Sequence, residues 1–235
     1  MELSKKTQQH LPYNYQYALA SALYKIFDLE DEQLAENLHS NRSGKFFTFS
    51  WIQYQRGTSK NGLDFKNAWF YVSSPDNRFI NVGARGLLNH PYLLLNGIPL
   101  EVTGLEAMEV VKMGGVARFR TLSPIYLKKI VETTRDKRFL DLYPGNEEWE
   151  KMLRRNLVSK FESYTRERCG DIDFHVKQIN RVKRKRMDIA GSYRRCAMLE
   201  FTVESDPDLL RFGYDAGFGE KNAMGFGCVE VMDQC

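Results

Sequence analysis

The stretch 206–232, DPDLLRFGYDAGFGEKNAMGFGCVEVM, predicts a short helix, a glycine-rich loop and a final strand, in that order. Asp206 is of the type that caps helix N-termini, and Pro207 suits the first helical position. The run CVEVM has the apolar alternation of a short strand. The glycine-rich loop, 213–227, therefore leads from a helix into a strand. Its glycines are Gly213, Gly217, Gly219, Gly225 and Gly227.

The glycine-rich loop does not fit a nucleotide-binding fingerprint. Gly217 and Gly219 begin a G-x-G-x-x-G pattern, but Asn222 occupies its third glycine position. Lys221 lacks the glycine before it and the Ser or Thr after it that a phosphate-binding P-loop requires. No helix N-terminus follows to receive a pyrophosphate. We expect a turn that uses positive φ and close backbone approach. Either the loop only lets the last strand pack, or its amides also form an anion-binding nest beside Lys221.

Outward from this loop, the second half of the chain alternates strands with helices. The segment 116–127 begins as an alternating strand, and 146–167 has apolar residues at helical spacing with acids in its first turn. The segments 171–186 and 193–205 are two further predicted strands. With 206–232, the order is strand, helix, strand, strand, helix, strand. This is the ferredoxin-like βαββαβ arrangement, an antiparallel sheet with two helices on one face.

The first half repeats this plan less clearly. Its first strand, within 1–9, is short and polar, and its other elements are easier to identify. The predicted helices cover 14–27, 30–40 and 74–89, and the predicted strands lie within 45–54, 67–74 and 97–113. The fold class expected is therefore α+β, with two tandem ferredoxin-like domains packed together. We place their boundary at Gly114-Gly115, which gives domains 1–114 and 115–235.

Composition excludes several classes of protein. The 235 residues are 43% hydrophobic and 27% charged, so a buried core is expected rather than global disorder. No apolar run approaches the roughly 18 residues of a membrane span, and the N-terminus lacks the apolar core of a signal peptide. We therefore expect a cytoplasmic protein with reduced thiols. The four cysteines form no CxxC pair, so we expect neither a zinc site nor a cofactor.

A basic segment, 177–195, stands out against the mild net charge of +4. It contains one acid, Asp188, whereas a solvated face ordinarily mixes both signs. A block of one sign favours a polyanionic partner, because each Lys or Arg near a phosphate releases condensed counterions. A flexible basic hairpin without a partner is the alternative on charge alone. The basic residues are Lys177, Arg181, Lys183, Arg184, Lys185, Arg186, Arg194 and Arg195.

Four stretches resemble one known family. The loop and strand GYDAGFGEKNAMGFGCVEV resembles the signature of the repeat-associated RAMP proteins. LPYNYQYALASALYKIF (11–27), LHSNRSGKFFTFS (38–50) and FRTLSPIYL (119–127) are similar to the Cas-six type of CRISPR-associated endoribonuclease, which cuts precursor CRISPR RNA. The order and spacing of these blocks cover nearly the whole chain. The glycine-rich loop alone indicates only the superfamily, and the N-terminal blocks indicate this member of it.

The resemblance implies a cleavage chemistry and its residues. The activity it implies is metal-independent: the ribose 2′-hydroxyl attacks the adjacent phosphate and leaves a 2′,3′-cyclic phosphate and a 5′-hydroxyl. Matched block by block, the catalytic residues it implies are His39, Tyr24 and Lys45. Such a reaction needs a base, an acid and a cation for the added charge on phosphorus. Which of His39 and Tyr24 is base and which acid stays open.

The pattern of the helices agrees with these positions. On a helical wheel, Tyr24 lies off the apolar stripe that includes Leu19 and Leu23, so it is not expected to be a core tyrosine. His39 lies off the apolar face of its helix, and a break before Lys45 lets that lysine fold back. Taken singly, a helix-end histidine is ordinarily a cap, an exposed helix tyrosine ordinarily surface, and a lysine before a strand ordinarily an edge charge.

The basic residues are the candidates for RNA contacts. The basic segment is expected to grip phosphates of a repeat stem, and Arg118 and Arg120 alternate on one strand face. The partners expected are CRISPR repeat RNA within precursor transcripts, an interference complex and a second copy of the chain. The alternative is a non-catalytic RNA-binding subunit of the same superfamily, which has no need of Tyr24, His39 and Lys45. The RNA-binding candidates are Arg181, Lys183, Arg184, Lys185, Arg186, Arg194, Arg195, Arg118, Arg120 and Lys221.

Overall fold

The computed structural model describes residues 1–39, 45–55, 58–132, 137–145, 147–189 and 191–233. Within these ranges, no helix combines the length and the apolar character needed to cross a membrane.

Among the described residues, the N-terminal half has three helices and nine short strands. It begins with the polar segment that sequence assigned only weakly, and this segment does form the first strand. The elements are β1 (Glu2–Lys5), α1 (Gln16–Glu30), α2 (Glu32–His39), β2 (Thr48–Phe49), β3 (Gln53–Tyr54), β4 (Thr58–Ser59), β5 (Gly62–Leu63), β6 (Asn67–Trp69), β7 (Val72–Ser73), α3 (Asn77–Asn89), β8 (Tyr92–Leu95) and β9 (Ile98–Gly104).

The main sheet of this half has the order β3-β6-β1-β9-β8, and its neighbouring strands are antiparallel. The short strand β1 lies at its centre, with Leu3 buried in the core. Lys5 is also buried on β1, and its ammonium donates to the carbonyls of Thr7 and Gln9 at 2.9 and 2.7 Å. Because the charge has these acceptors, a polar segment can serve as a central strand.

The core of this half lies between the sheet and helices α1 and α3. Three aromatic rings fill it where the two helices meet the chain after α2. Phe79 of α3 lies 4.3 Å from Phe27 of α1 and 4.4 Å from Phe47, measured between ring centroids. This packing fixes α1 against the segment that begins at Lys45.

The C-terminal half forms a second sheet, with the order β13-β14-β10-β15. In both halves the first strand of the βαββαβ series is central, flanked by the third and fourth. The chain therefore has two ferredoxin-like domains, as predicted. The elements are β10 (Val116–Thr121), β11 (Lys128–Glu132), β12 (Lys137–Asp141), α4 (Glu147–Thr165), β13 (Phe174–Ile189), β14 (Ser192–Ser205), α5 (Pro207–Ala216), a 3-10 turn (Asn222–Met224) and β15 (Val229–Asp233).

The predicted start of α5 is confirmed. The Asp206 side chain accepts hydrogen bonds from the amides of Asp208 and Leu209, and Pro207 opens the helix. These contacts satisfy two of the amides that a helix start leaves without partners.

The basic segment is a strand pair rather than a loop. It corresponds to the strands predicted at 171–186 and 193–205, and β13 and β14 stay paired through Arg186 and Arg195 to Ile189 and Ser192. One face of this ribbon is apolar, since Met187, Ile189 and Cys196 pack with Tyr126 and Phe226. We call residues 177–195 the basic hairpin. Its register is fixed by packing on the glycine-rich loop.

A small hairpin of β11 and β12 was missed in the sequence. Its apolar residues Ile130, Phe139 and Leu140 are exposed, with Ile130 directly opposite Phe139. Because no face of this hairpin is buried as a whole, its sequence lacks the clean alternation that marks a half-buried strand.

The glycine-rich loop joins the two halves. Gly217, Gly219, Gly225 and Gly227 have φ between +73° and +88°, as the turn prediction required, whereas Gly213 lies within α5. The Thr48 hydroxyl of the N-terminal half donates to the Phe226 carbonyl at 2.9 Å. On the other side, the Glu220 amide donates to the Tyr126 carbonyl at 2.8 Å, and the Phe218 ring enters the C-terminal core.

Candidate active site

A cleft of about 910 Å³ lies between α1, α4 and the glycine-rich loop. It continues into a second opening of about 1170 Å³ that shares Lys45, Asn156, Lys160 and Glu220 with it. The two ferredoxin-like units thus meet at one continuous cleft. The side chains that concern its chemistry are Tyr24, Lys45, Asn156, Lys160, Lys221 and Asn222.

Tyr24 and Lys45 come together in this cleft. The Lys45 ammonium lies 5.1 Å from the centroid of the Tyr24 ring, a cation–π distance. Tyr24 is half-buried, and its ring meets the edge of Phe47 at 5.9 Å. It therefore lies at the rim of the core, where the helical wheel placed it off the main stripe. Burial raises the pKa of Tyr24 to about 12.

His39 is the last residue of α2. Its side chain and the predicted helix break at 40–44 lie outside the described residues. The backbone of α2 ends six residues before Lys45 in the chain. A catalytic role for His39 thus stays a prediction.

Lys160 is a residue of this cleft that the sequence analysis missed. It lies on α4, and its ammonium is enclosed by the glycine-rich loop. The ammonium donates to the carbonyls of Gly217 and Gly219 at 2.6 and 3.0 Å and to the Asn222 side-chain oxygen at 2.8 Å. Its position one turn beyond Leu157, on the apolar stripe of α4, is the sequence signal that distinguishes it from a surface lysine.

The basic hairpin presents cations beside aromatic rings. The Arg184 guanidinium lies 4.6 Å from the Tyr143 ring centroid, and the Arg186 guanidinium lies 4.7 Å from that of Tyr193. The Lys185 ammonium lies 5.7 Å from a Trp51 ring centroid. Within the described ranges, no acidic side chain forms an ion pair with Lys183 or with these three cations, all of which are exposed.

Three of the predicted RNA-binding arginines instead contact acids. Arg118 and Arg181 each reach a carboxylate oxygen of the buried Glu200 at 3.0 Å, and Arg120 reaches Glu230 at 2.5 Å. Arg118 and Arg120 do share a face of β10, as predicted, but much of their charge is compensated within the sheet.

Arg194 and Lys221 lie together at the glycine-rich loop. Burial lowers the pKa of the Lys221 ammonium, and the positive charges of Arg194 and Lys128 lower it further. Both residues are half-buried, while Arg195 on the opposite face of the hairpin is exposed. A small group of cations therefore lies at the glycine-rich loop.

In the part of the chain that the structure describes, no group of three or more His, Cys, Asp or Glu side chains is arranged to hold a metal ion. Cys169, Cys196 and Cys228 are free thiols.

Two ferredoxin-like units joined at a glycine-rich loop define the architecture of the RAMP proteins. Residues 107–231 match the family model described as "CRISPR associated protein Cas6, C-terminal", and residues 10–105 match the N-terminal model of "CRISPR-associated protein Cas6". The chain therefore belongs to the Cas6 family of CRISPR-associated proteins.

Individual relatives agree over the full length. CRISPR-associated endoribonuclease Cas6 1 of Methanocaldococcus jannaschii is 37% identical, over 97% of this chain and 90% of that protein. A solved structure described as "CRISPR associated protein Cas6" has a TM-score of 0.85 at 37% identity, over 99% of this chain and 97% of that chain. Another, described as "An RAMP protein binding different RNA substrates", has a TM-score of 0.87 at 26% identity, over 99% and 98%.

Proposed function

We propose that this protein is a metal-independent endoribonuclease that cuts CRISPR repeat RNA within precursor transcripts to give guide RNAs. As a member of the Cas6 family the chain is an RNA-cleaving enzyme. The observation that carries the proposed site is the meeting of Lys45 and Tyr24, 5.1 Å from ammonium to ring centroid, in the cleft beside the glycine-rich loop.

The reaction we propose is an internal transfer at phosphorus. The 2′-oxygen forms a bond to the adjacent phosphorus, the bond from phosphorus to the 5′-oxygen breaks, and the products carry a 2′,3′-cyclic phosphate and a 5′-hydroxyl. A base must take the 2′-hydroxyl proton, and an acid must supply a proton to the leaving 5′-oxygen. The non-bridging oxygens gain negative charge in the transition state, which a fixed cation stabilises. Lys45 is the cation in this proposal.

The pKa of Tyr24 supports its assignment as the acid. Because burial raises this pKa to about 12, the phenol keeps its proton near neutral pH and is a donor rather than a base. Histidine is the side chain whose ordinary pKa suits a base in that range. We therefore assign the base to His39 and the proton donor to Tyr24.

The basic hairpin supplies the grip on RNA in this proposal. Lys183, Arg184, Lys185 and Arg186 are exposed and free of acidic partners in the described chain, so their charge is available for phosphates. Rings next to guanidinium groups also suit stacking against unpaired bases. Arg194, Arg195 and Lys221 extend the same charge to the glycine-rich loop, and Arg118, Arg120 and Arg181 are secondary members because acids already contact them.

The domain bounds, the further partners and the location of the protein are also proposals. We propose that 1–114 and 115–235 are the two domains and that the first carries the catalytic residues. Transfer of the product to an interference complex, pairing of two copies and a cytoplasmic location stay predictions from sequence.

The alternative expected from sequence is a binding-only role, against which the relatives named endoribonucleases argue. The relative described as binding different RNA substrates supports it, since RNA binding alone needs the basic hairpin and not the cleft. The two functions differ in what Tyr24, Lys45 and His39 are needed for.

One experiment separates them. The protein and a His39→Ala variant are incubated with radiolabelled repeat RNA in excess EDTA, and the ends of the products are identified. We expect one cut per repeat by the parent protein, with cyclic phosphate ends, and binding without cutting by the variant. Cutting that requires added metal, or equal cutting by the variant, contradicts the proposed mechanism. Binding without cutting by both proteins favours the alternative.

A further inference from the structure

We infer that Lys160 is a positioning residue of the cleft, one that holds the glycine-rich loop in register with Tyr24 and Lys45. This inference rests on the proposed function, because it concerns the same site. It starts from the ammonium of Lys160, which points from α4 into the loop rather than into solvent.

An ammonium has three N–H donors, and all three are used here. They reach the Gly217 carbonyl at 2.6 Å, the Asn222 side-chain oxygen at 2.8 Å and the Gly219 carbonyl at 3.0 Å. No donor is left for a phosphate unless one of these bonds breaks. Lys160 therefore acts on the reaction through the loop rather than by direct contact with a phosphate.

The contact spreads from Lys160 across the whole loop. Asn222 is buried, and its amide nitrogen donates to the carbonyls of Phe218 and Phe226 at 3.2 and 3.0 Å. Because that nitrogen has two acceptors, the oxygen of the amide must face the Lys160 ammonium. One cation thus ties together three points of the loop between Gly217 and Phe226.

The position of the loop matters because its residues line the cleft. Gly219, Lys221 and Asn222 line it together with Tyr24 and Lys45. Four of the loop's glycines have positive φ, and the regular structure between α5 and β15 is one short 3-10 turn. A loop of this kind keeps one conformation only if other groups stabilise it. Lys160 does so through its three hydrogen bonds to the loop.

Lys160 is a charged group whose burial opposes its protonation and whose hydrogen bonds favour it. Burial lowers the pKa of its ammonium to about 7, while the negative charge of Glu220 raises it. The three oxygen acceptors also favour the charged form. A neutral amine has only two N–H donors, so loss of the proton would release one of the three loop contacts.

The test uses Lys160→Met, which keeps the aliphatic stem and removes the ammonium. We expect the single-turnover cleavage rate at saturating repeat RNA to fall by roughly 30-fold or more, because small displacements in an active site cost that much. The RNA Kd should change by less than about fivefold, since the basic hairpin is intact. The matched control is Lys151→Met on the same helix, whose ammonium pairs with Glu147 at 2.7 Å and has no bond to the loop.

A second variant guards against a failure of Lys160→Met to fold. Asn222→Ala removes one of the three acceptors, and we expect it to slow cleavage at saturating RNA by about tenfold. Combined with Lys160→Met, it should add little, because both changes act through the same loop. Fully additive losses contradict the inference.

Hydrogen exchange of the free protein separates this inference from the proposed function. The amides of Phe218, Gly225 and Gly227 donate to backbone carbonyls and should exchange slowly. In Lys160→Met we expect them to exchange at least about tenfold faster, while amides of β10 are unchanged. Unchanged loop exchange, or cleavage by Lys160→Met within twofold of the parent, overturns the inference. Failure of the parent protein to cut RNA rejects the proposed function and leaves the exchange result to decide the role of Lys160.

Discussion

The cleft and the basic hairpin both adjoin the glycine-rich loop, but the surroundings of their cations differ. In the cleft, Lys160 has three oxygen acceptors and Lys45 lies against a half-buried phenol. In the hairpin, Arg184 and Arg186 are exposed and have aromatic rings rather than acids as neighbours. Enclosed groups in fixed geometry suit chemistry, whereas exposed cations suit the phosphates of a long polyanion. On the proposed function, the cleft cuts the RNA and the basic hairpin binds it.

The largest expected effect is that of Tyr24→Phe. Removing the proposed acid should lower the single-turnover cleavage rate by about 10²–10⁴-fold while the RNA Kd stays within about twofold of the parent value. Rapid-quench assays at saturating RNA measure the rate, and filter binding measures the Kd. Tyr92→Phe, an exposed tyrosine on β8, is the matched control. If Tyr24→Phe cleaves RNA at the parent rate, Tyr24 takes no part in the chemistry, and the proposed difference between the cleft and the basic hairpin loses its main support.

The basic hairpin should show the reverse pattern. Changing Lys183, Arg184 and Lys185 together to Ala should weaken RNA binding and reduce the slope of log K against log salt by about 2, since each lost phosphate contact with a single strand contributes about 0.7. The cleavage rate at saturating RNA should be unchanged.

The control for the hairpin variant removes equal charge from the other half of the chain. Lys6, Lys60 and Lys66 changed to Ala should leave both the Kd and its salt slope near the parent values. A hairpin variant that binds like this control, or that binds normally and cuts slowly, reverses the division of roles.

The loop that both regions share should respond to Gly227→Ala with a loss of stability. A Cβ at Gly227 would lie 1.9 Å from the Phe218 carbonyl oxygen, and its φ is +73°. We expect the free energy of unfolding to fall by about 2–4 kcal/mol, from the left-handed backbone and the overpacking together. Gly145→Ala has a φ of +103° and open space, so only the backbone cost of about 1–2 kcal/mol applies there. Equal losses in urea melts of the two variants would mean that the close packing contributes nothing.

The smallest effect concerns the titration of Tyr24, which should leave no trace in the pH dependence of cleavage. Because the folded-state pKa of Tyr24 is about 12, above the ordinary value of 10.0, its phenol stays protonated from pH 7 to 10. As an acid it is then fully active over that window, so the wild-type cleavage rate should not track its titration. If Tyr24 were the base, the rate would rise about tenfold per pH unit, and this rise would vanish in Tyr24→Phe.

Sequence predicted the βαββαβ series well because most of its strands and helices bury one face. The alternation of 116–121, the helical spacing of 147–165 and the cap at Asp206 all correspond to observed elements. The β11–β12 hairpin was missed because its apolar residues Ile130 and Phe139 are exposed. Its sequence therefore lacks the alternation of apolar and polar residues that a buried face produces.

The candidate site was predictable only in part. Tyr24 and Lys45 were named from a family resemblance, and the structure brings them together. Lys160 could not be identified in this way, because its role depends on carbonyl groups that lie 57–62 residues away in the chain. The strands predicted at 171–186 and 193–205 correspond to the two strands of the basic hairpin, whose pairing extends to Ile189 and Ser192.

The most direct test of the central claim changes the RNA rather than the protein. A repeat RNA with a single 2′-deoxy sugar on the 5′ side of the cut lacks the proposed nucleophile. We predict that the protein binds this RNA with the Kd of the unmodified repeat and leaves it uncut in EDTA, while the unmodified repeat is cut to a cyclic phosphate. Cleavage of the 2′-deoxy RNA at the same bond would contradict the account, because attack would then come from a group other than the 2′-hydroxyl.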